Sequence, residues 1–169
     1  YNYTKNPAVT HARRLIESGA IGRVSGFFCR YDVDNEADGN RPWSWRMSRA
    51  QSGTGANGDV MSHVISVAHF LTGSTISRVA GDYAIVHEER ADAGNEGQTK
   101  TVDNDDMVSA LVHFENGVKG HIGASRVTWG RKCGLRWEIH GTEGTILYDQ
   151  ERLNELKLFT TCLVPVSYA

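Results

Sequence analysis

Hydrophobic and polar positions divide the chain into an early helical part and a late, strand-rich part. Between Asn6 and Gly19, Val9, Ala12, Leu15 and Ile16 recur at helical spacing and form one apolar face to bury. Asn6 can cap this helix, Pro7 suits its first turn and Gly19 its left-handed stop. From Gly22 to Val33 the period changes to two, with Phe27, Cys29, Tyr31 and Val33 on one side, which predicts a strand. A second helix is predicted from about Gly58 to Thr72. There Val60, Met61, Val64, Ile65, Val67, Ala68 and Leu71 cover much of the circumference, so it should be well buried, and Gly73 supplies the stop.

Beyond that helix the pattern predicts strands at 77–88, 107–114, 118–127, 135–140, 145–148 and 155–159, read as an antiparallel meander. Glu115-Asn116-Gly117 and Gly141-Thr142-Glu143-Gly144 carry hairpin chemistry. A two-residue turn at Asn116-Gly117 sets His113 opposite Gly120 and His121 opposite Val112, with the two rings on opposite sheet faces. Residues 34–58 form a long polar loop that carries Trp43 and Trp45 beside Arg41, Arg46 and Arg49, and such loops are functional or mobile. Residues 91–106 lack periodicity and read as a mobile excursion. Helices early and strands late, without alternating βαβ units, predict an α+β fold: a large, mostly antiparallel sheet with helices packed on one face.

The length of 169 residues fits one domain, 1–169, able to bury a core without disulfides or a structural metal. With 18 Lys+Arg against 20 Asp+Glu, the chain lacks the basic footprint of a nucleic-acid binder. Cys29, Cys133 and Cys162 are too scattered for a disulfide framework, which points to a reducing, cytoplasmic setting. Val64 to Leu71 is too short to span a bilayer, so no membrane partner is expected. Residue 1 is Tyr rather than Met, which reads as a cut end.

Gly53-Thr54-Gly55-Ala56-Asn57-Gly58 matches the dinucleotide fingerprint G-x-G-x-x-G, with Asp82 following at a plausible distance. The fingerprint works when a buried strand runs into the turn, and residues 43–52 are polar and arginine-bearing instead. It is therefore read as a helix entry. On the predicted second helix Asp59 and His63 stand four residues apart, on one face and within hydrogen-bonding reach. A carboxylate that fixes one imidazole nitrogen leaves the other free to take a proton from a hydroxyl. The plainer alternative is an acidic first turn beside a satisfied core histidine. Neither His69 nor the His113/His121 hairpin completes a metal-ligand pattern, so no metal is expected. Arg126, Arg131, Lys132 and Arg136 crowd around Trp129 as solvated strand ends or, together, as an anion patch. No G-x-S-x-G elbow suggests a hydrolase.

Several runs resemble the C-terminal half of the Gfo/Idh/MocA oxidoreductases, which include inositol dehydrogenase-like members. They are Tyr3-Thr4-Lys5-Asn6-Pro7-Ala8, Leu15-Ile16-Glu17-Ser18-Gly19-Ala20-Ile21-Gly22-Arg23-Val24, Gly55 through His63, Phe114-Glu115-Asn116-Gly117, His140-Gly141-Thr142-Glu143-Gly144 and Glu151 through Leu156. The resemblance implies a substrate-binding and oligomerisation domain whose other sheet face is used for homo-oligomer contacts. It also implies NAD- or NADP-dependent oxidation of a secondary hydroxyl on a cyclic polyol or sugar, with Asp59 and His63 as the acid/base pair. The nucleotide-binding Rossmann half would precede Tyr1, and with it most of the cofactor site. Trp45 and Arg46, an aromatic and a cation in the loop leading to the site, are the expected substrate contacts. Met61 replaces a family glycine, Ser66 stands where an aspartate is common, Thr4 where many members carry arginine, and 162–169 depart from the family pattern. A non-catalytic sugar-binding or oligomerisation module is the alternative.

Overall fold

The computed structural model describes residues 1–160. Asn6 Oδ1 accepts from the Ala8 N–H at 2.8 Å and Pro7 opens α1 (Pro7–Glu17), while Gly19, at φ +79°, turns the chain away. Then come β1 (Val24–Asp32), the one-turn helices α2 (Arg49–Ser52) and α3 (Ala56–Asp59), and α4 (Met61–Thr72), which ends on left-handed Gly73. The remaining elements are β2 (Ile76–Ala84), β3 (Glu89–Ala91), β4 (Thr99–Thr101), β5 (Met107–Phe114), β6 (Lys119–Ser125), β7 (Gly134–Gly141), β8 (Gly144–Asp149) and β9 (Leu156–Thr160).

One sheet of seven strands runs in the order β2-β5-β6-β1-β7-β8-β9, antiparallel at every junction except β1–β6. With α1 and α4 against one face, this is the α+β architecture expected. Phe27, Cys29 and Tyr31 alternate inward on β1 and meet Trp137 and Ile139 from β7 and Val64, Val67 and Leu71 from α4, all buried. Arg13 reaches from α1 to the carbonyls of Phe70 and Leu71, at 2.9 and 3.3 Å, and satisfies the C-terminal end of α4. Cys162 lies outside the described residues.

Local patterning misplaces several features. The strands are not a single meander, because β1 inserts between β6 and β7 and pairs with β6 in parallel. The 126–133 loop is long enough to step across it. The β5–β6 hairpin closes through three residues, 115–117, with Gly117 at φ +88° and the Phe114 N–H bonded to Val118 O. That one-residue slip pairs His113 with Lys119 and His121 with Leu111, so both rings lie on the open sheet face rather than on opposite faces. β2 stops at Ala84 rather than 88, since the Val86 and His87 N–H groups turn to Asp106 Oδ2 at 2.8 and 3.3 Å. The helix read from Gly58 to Thr72 breaks at Val60, where the His63 N–H closes an i−3 bond of 3.2 Å on Val60 O.

Residues 91–106 are not a loose excursion. β3 and β4 pair as a hairpin, and the 34–48 loop is tied to it. Arg90, 2% exposed, donates to the carbonyls of Glu36, Asp38 and Arg41 at 2.5, 2.6 and 3.3 Å. Trp43 adds Nε1–H to Thr101 O at 3.0 Å and its own N–H to Ala91 O at 2.8 Å. Three consecutive buried polar residues then reach three different elements. Asn104 Nδ2 donates to Arg46 O and Ser52 Oγ at 2.7 and 2.8 Å. The Asp105 carboxylate accepts from the Gly55 and Asn57 N–H groups at 2.9 and 2.5 Å, and its carbonyl from Ala56 at 2.8 Å. Asp106 Oδ1 accepts from Arg126 Nε at 2.8 Å, while Arg126 Nη1 and Nη2 reach Arg46 O and Asn104 Oδ1. The basic run near Trp129 is likewise consumed by partners: Arg131 by Glu151, Lys132 by Asp34 and Arg136 by Asp32.

Two stability measurements follow from this packing. A Cβ on Gly55 would sit 1.9 Å from Asp105 O, so Gly55→Ala should cost about 1–3 kcal/mol in urea unfolding, and an unchanged midpoint contradicts the contact. Arg126→Ala leaves the buried Asp106 carboxylate without its cation and should cost about 3–5 kcal/mol by the same assay.

Candidate functional site

The break at Val60 shapes the site. Because α3 and α4 are separate turns, Asp59 is exposed at the end of one and His63 half-buried in the other, and the hydrogen bond expected between them is not formed. Asp59 acts on His63 through charge alone. The imidazole sits in an aromatic cage with edge-to-face contacts to Tyr1 and Tyr3, both at 5.1 Å between centroids, and to Tyr31 at 5.9 Å. Tyr3 and Tyr31 share a 2.6 Å hydroxyl–hydroxyl hydrogen bond and both approach Cys133 Sγ, at 3.4 and 3.5 Å. Burial pushes the Tyr31 phenol well above its usual range, so it stays protonated. His63 Nδ1 is buried without a hydrogen-bond partner. Burial pushes its pKa below the ordinary histidine value, opposed by the nearby Asp59 charge, so the ring is neutral at pH 7.

Asp59 lines a cavity of about 320 Å³ together with Asn35, Glu36, Trp45, Arg46 and Arg126, among others. The structure thus brings Asp59, Trp45 and Arg46 onto one wall system, with His63 on the neighbouring helix rather than in the lining. Trp45 is 49% exposed and carries the Arg46 guanidinium 4.5 Å above its ring. The Arg46 side chain is exposed, but its carbonyl is held by Asn104 and Arg126. This backbone anchor gives an otherwise polar loop a fixed course. Sequence reasoning missed Glu36 and the Tyr3/Tyr31 cage, and read Arg126 as part of a solvated strand end or an anion patch, whereas it is buried against Asp106 and Asn104. No periodicity or motif marks Glu36, whereas the inward alternation of Tyr31 with Cys29 could have placed it beneath the helix.

The glycine-rich turn does not hold a pyrophosphate. Short helices rather than a strand lead into it, and the N–H groups that would receive an anion are taken by the Asp105 carboxylate. This turn therefore does not fit a nicotinamide dinucleotide's phosphate cradle. Among the described residues, no three His, Cys, Asp or Glu side chains gather to hold a metal, and no helix is long and apolar enough to cross a membrane.

Comparisons with known proteins agree with this architecture. The GFO/IDH/MocA C-terminal domain profile matches residues 9–147. Levoglucosan dehydrogenase of Pseudarthrobacter phenanthrenivorans is 40% identical over 168 residues, covering 94% of this chain and 43% of that protein. An NAD binding oxidoreductase from Klebsiella pneumoniae superimposes with a TM-score of 0.90 at 40% identity, over 95% of this chain and 42% of its own. Levoglucosan dehydrogenase in complex with NADH and levoglucosan gives 0.89 at 38% identity, over 97% and 43%. This chain spans less than half the length of these relatives. Matched in sequence and in fold over nearly its whole length, it belongs to the GFO/IDH/MocA oxidoreductase family through that family's C-terminal domain.

Proposed function

We propose that the chain is the substrate domain of a longer NAD(P)-dependent oxidoreductase acting on a secondary hydroxyl of a sugar or cyclic polyol. The observation that carries this reading is His63: a neutral imidazole with an unpartnered nitrogen, under the charge of Asp59, which itself lines a cavity with Trp45 and Arg46. Relatives crystallised with NADH together with levoglucosan or L-sorbose support the substrate class. The cofactor's phosphates belong to the rest of the longer protein, since the only glycine-rich helix entry among the described residues is closed by Asp105.

The nicotinamide, when bound there, supplies the hydride acceptor. This chain supplies proton chemistry and placement. His63 takes the hydroxyl proton, and the imidazolium that results is stabilised by the Asp59 charge across the helix break. The Trp45 ring offers an apolar surface to the C–H face of a sugar, the exposed Arg46 guanidinium offers donors, and Arg126, bonded to Asp106, Asn104 and the Arg46 carbonyl, holds that wall in place. The open sheet face is the proposed contact with a second copy. Leu111, His121 and Phe28 are register neighbours there, and Leu111 and Phe28 are 61% and 42% exposed.

In the full-length enzyme His63→Ala should lower kcat by about 10²–10⁴ with little change in KM, and an unchanged kcat removes His63 from the mechanism. The wild-type kcat/KM for alcohol oxidation should rise with pH through a midpoint below the ordinary histidine value, because the active base is the neutral ring and burial favours it. A midpoint at or above that value contradicts the assignment. Leu111→Glu should lower the sedimenting mass, and an unaltered mass removes the sheet face as the contact.

A further inference from the structure

Glu36 is buried, at 2% exposure, yet its carboxylate is poorly satisfied. Oε2 accepts no hydrogen bond, and its ion-pair neighbour is Arg41 Nε at 3.4 Å, on a side chain 51% exposed. Arg41 also donates through Nη1 to the Asn35 carbonyl, so its guanidinium is shared with the loop backbone. An exposed cation at that distance compensates a buried carboxylate weakly. The backbone of Glu36, by contrast, is held from both ends. Its N–H donates to Arg126 O at 2.9 Å and its carbonyl accepts from buried Arg90 at 2.5 Å. A carboxylate under-supplied with donors is thus fixed in the wall of the cavity that holds Asp59, Trp45, Arg46 and Arg126. The lining also carries the neutral side chains of Asn35, Ser52 and Thr54 and the exposed Arg46 guanidinium, while Arg126 is bonded to Asp106, Asn104 and the Arg46 carbonyl; beyond the exposed Asp59, Glu36 is the one carboxylate among them. A polyhydroxylated ring brings what that acceptor lacks, which is hydroxyl donors that need no charge.

We propose that Glu36 is a specificity-determining residue that accepts a hydrogen bond from a ring hydroxyl other than the one oxidised. The assignment rests on the function proposed above and deepens it. A buried group built to bond a substrate hydroxyl rejects an analogue lacking it, because the group is then left unpaired. Glu36 takes no part in proton transfer, so it acts on binding rather than on turnover.

The test uses the full-length enzyme with levoglucosan, its monodeoxy analogues, L-sorbose and myo-inositol. Glu36→Gln is expected to raise KM for the best substrate about tenfold or more, leave kcat nearly unchanged, and abolish discrimination against one deoxy analogue. Glu36→Asp, which keeps the charge but withdraws it by one methylene, should show the same KM-against-kcat split, and serves if the Gln variant does not fold. Arg41→Met separates a structural role: if Glu36 only tethers Arg41, this variant reproduces the Glu36→Gln effect and discrimination persists in both, which overturns the proposal. An active wild type whose Glu36 variants keep KM and discrimination overturns it as well, leaving the general function standing. A wild type that turns over none of the panel removes both.

Discussion

The consecutive buried residues Asn104, Asp105 and Asp106 form the constraint on which the site depends. Each is polar, each is almost wholly removed from water, and each finds partners in a different element. Burying such groups is unfavourable unless every one is satisfied, so the arrangement exists only when the loop, the glycine-rich turn and the arginine after β6 are all in place. Asn104 sets the course of the Trp45–Arg46 loop, Asp105 closes the turn that opens α3, and Asp106 orients Arg126. The walls of the cavity are therefore fixed relative to one another by one short stretch of chain.

The same stretch explains how a dinucleotide-like motif serves another end. Gly55 is needed because backbone passes against backbone at Asp105, the close approach that glycines also allow around a pyrophosphate. Here an internal carboxylate occupies the anion's place. The turn then delivers Asp59 to the cavity and hands the chain across Val60 to α4, which carries His63 into its tyrosine cage. Desolvation lowers the proton affinity of the imidazole while the Asp59 charge partly restores it, and the balance favours the neutral ring.

What could be read from the chain beforehand follows the range of the interactions responsible. Asn6, Pro7, Gly19 and Gly73 act on their immediate neighbours, and each stands where its local chemistry requires. The inward alternation of Phe27, Cys29 and Tyr31 is equally local. The insertion of β1 between β6 and β7 is not, since partners nearly a hundred residues apart leave no periodic trace. One extra residue in the 115–117 turn was enough to move His121 to the face of His113. The polarity of residues 91–106 suggested freedom, but Asn104 and the Asp103 N–H bond to the Arg46 and Met47 carbonyls, and Arg90 just before them to those of Glu36 and Asp38, a complementarity that no single segment displays. Spacing located Asp59 and His63, yet it presumed one continuous helix and so supplied a hydrogen bond that the break at Val60 removes. Glu36 carried no signal because its character comes from what surrounds it.

Amide hydrogen exchange at Gly55, Ala56 and Asn57, measured with and without NADH, tests the central claim most directly. These donors should be protected in the chain alone and unaffected by the nucleotide, because Asp105 already satisfies them. Fast exchange that slows when NADH is added would contradict the account and return the turn to nucleotide binding.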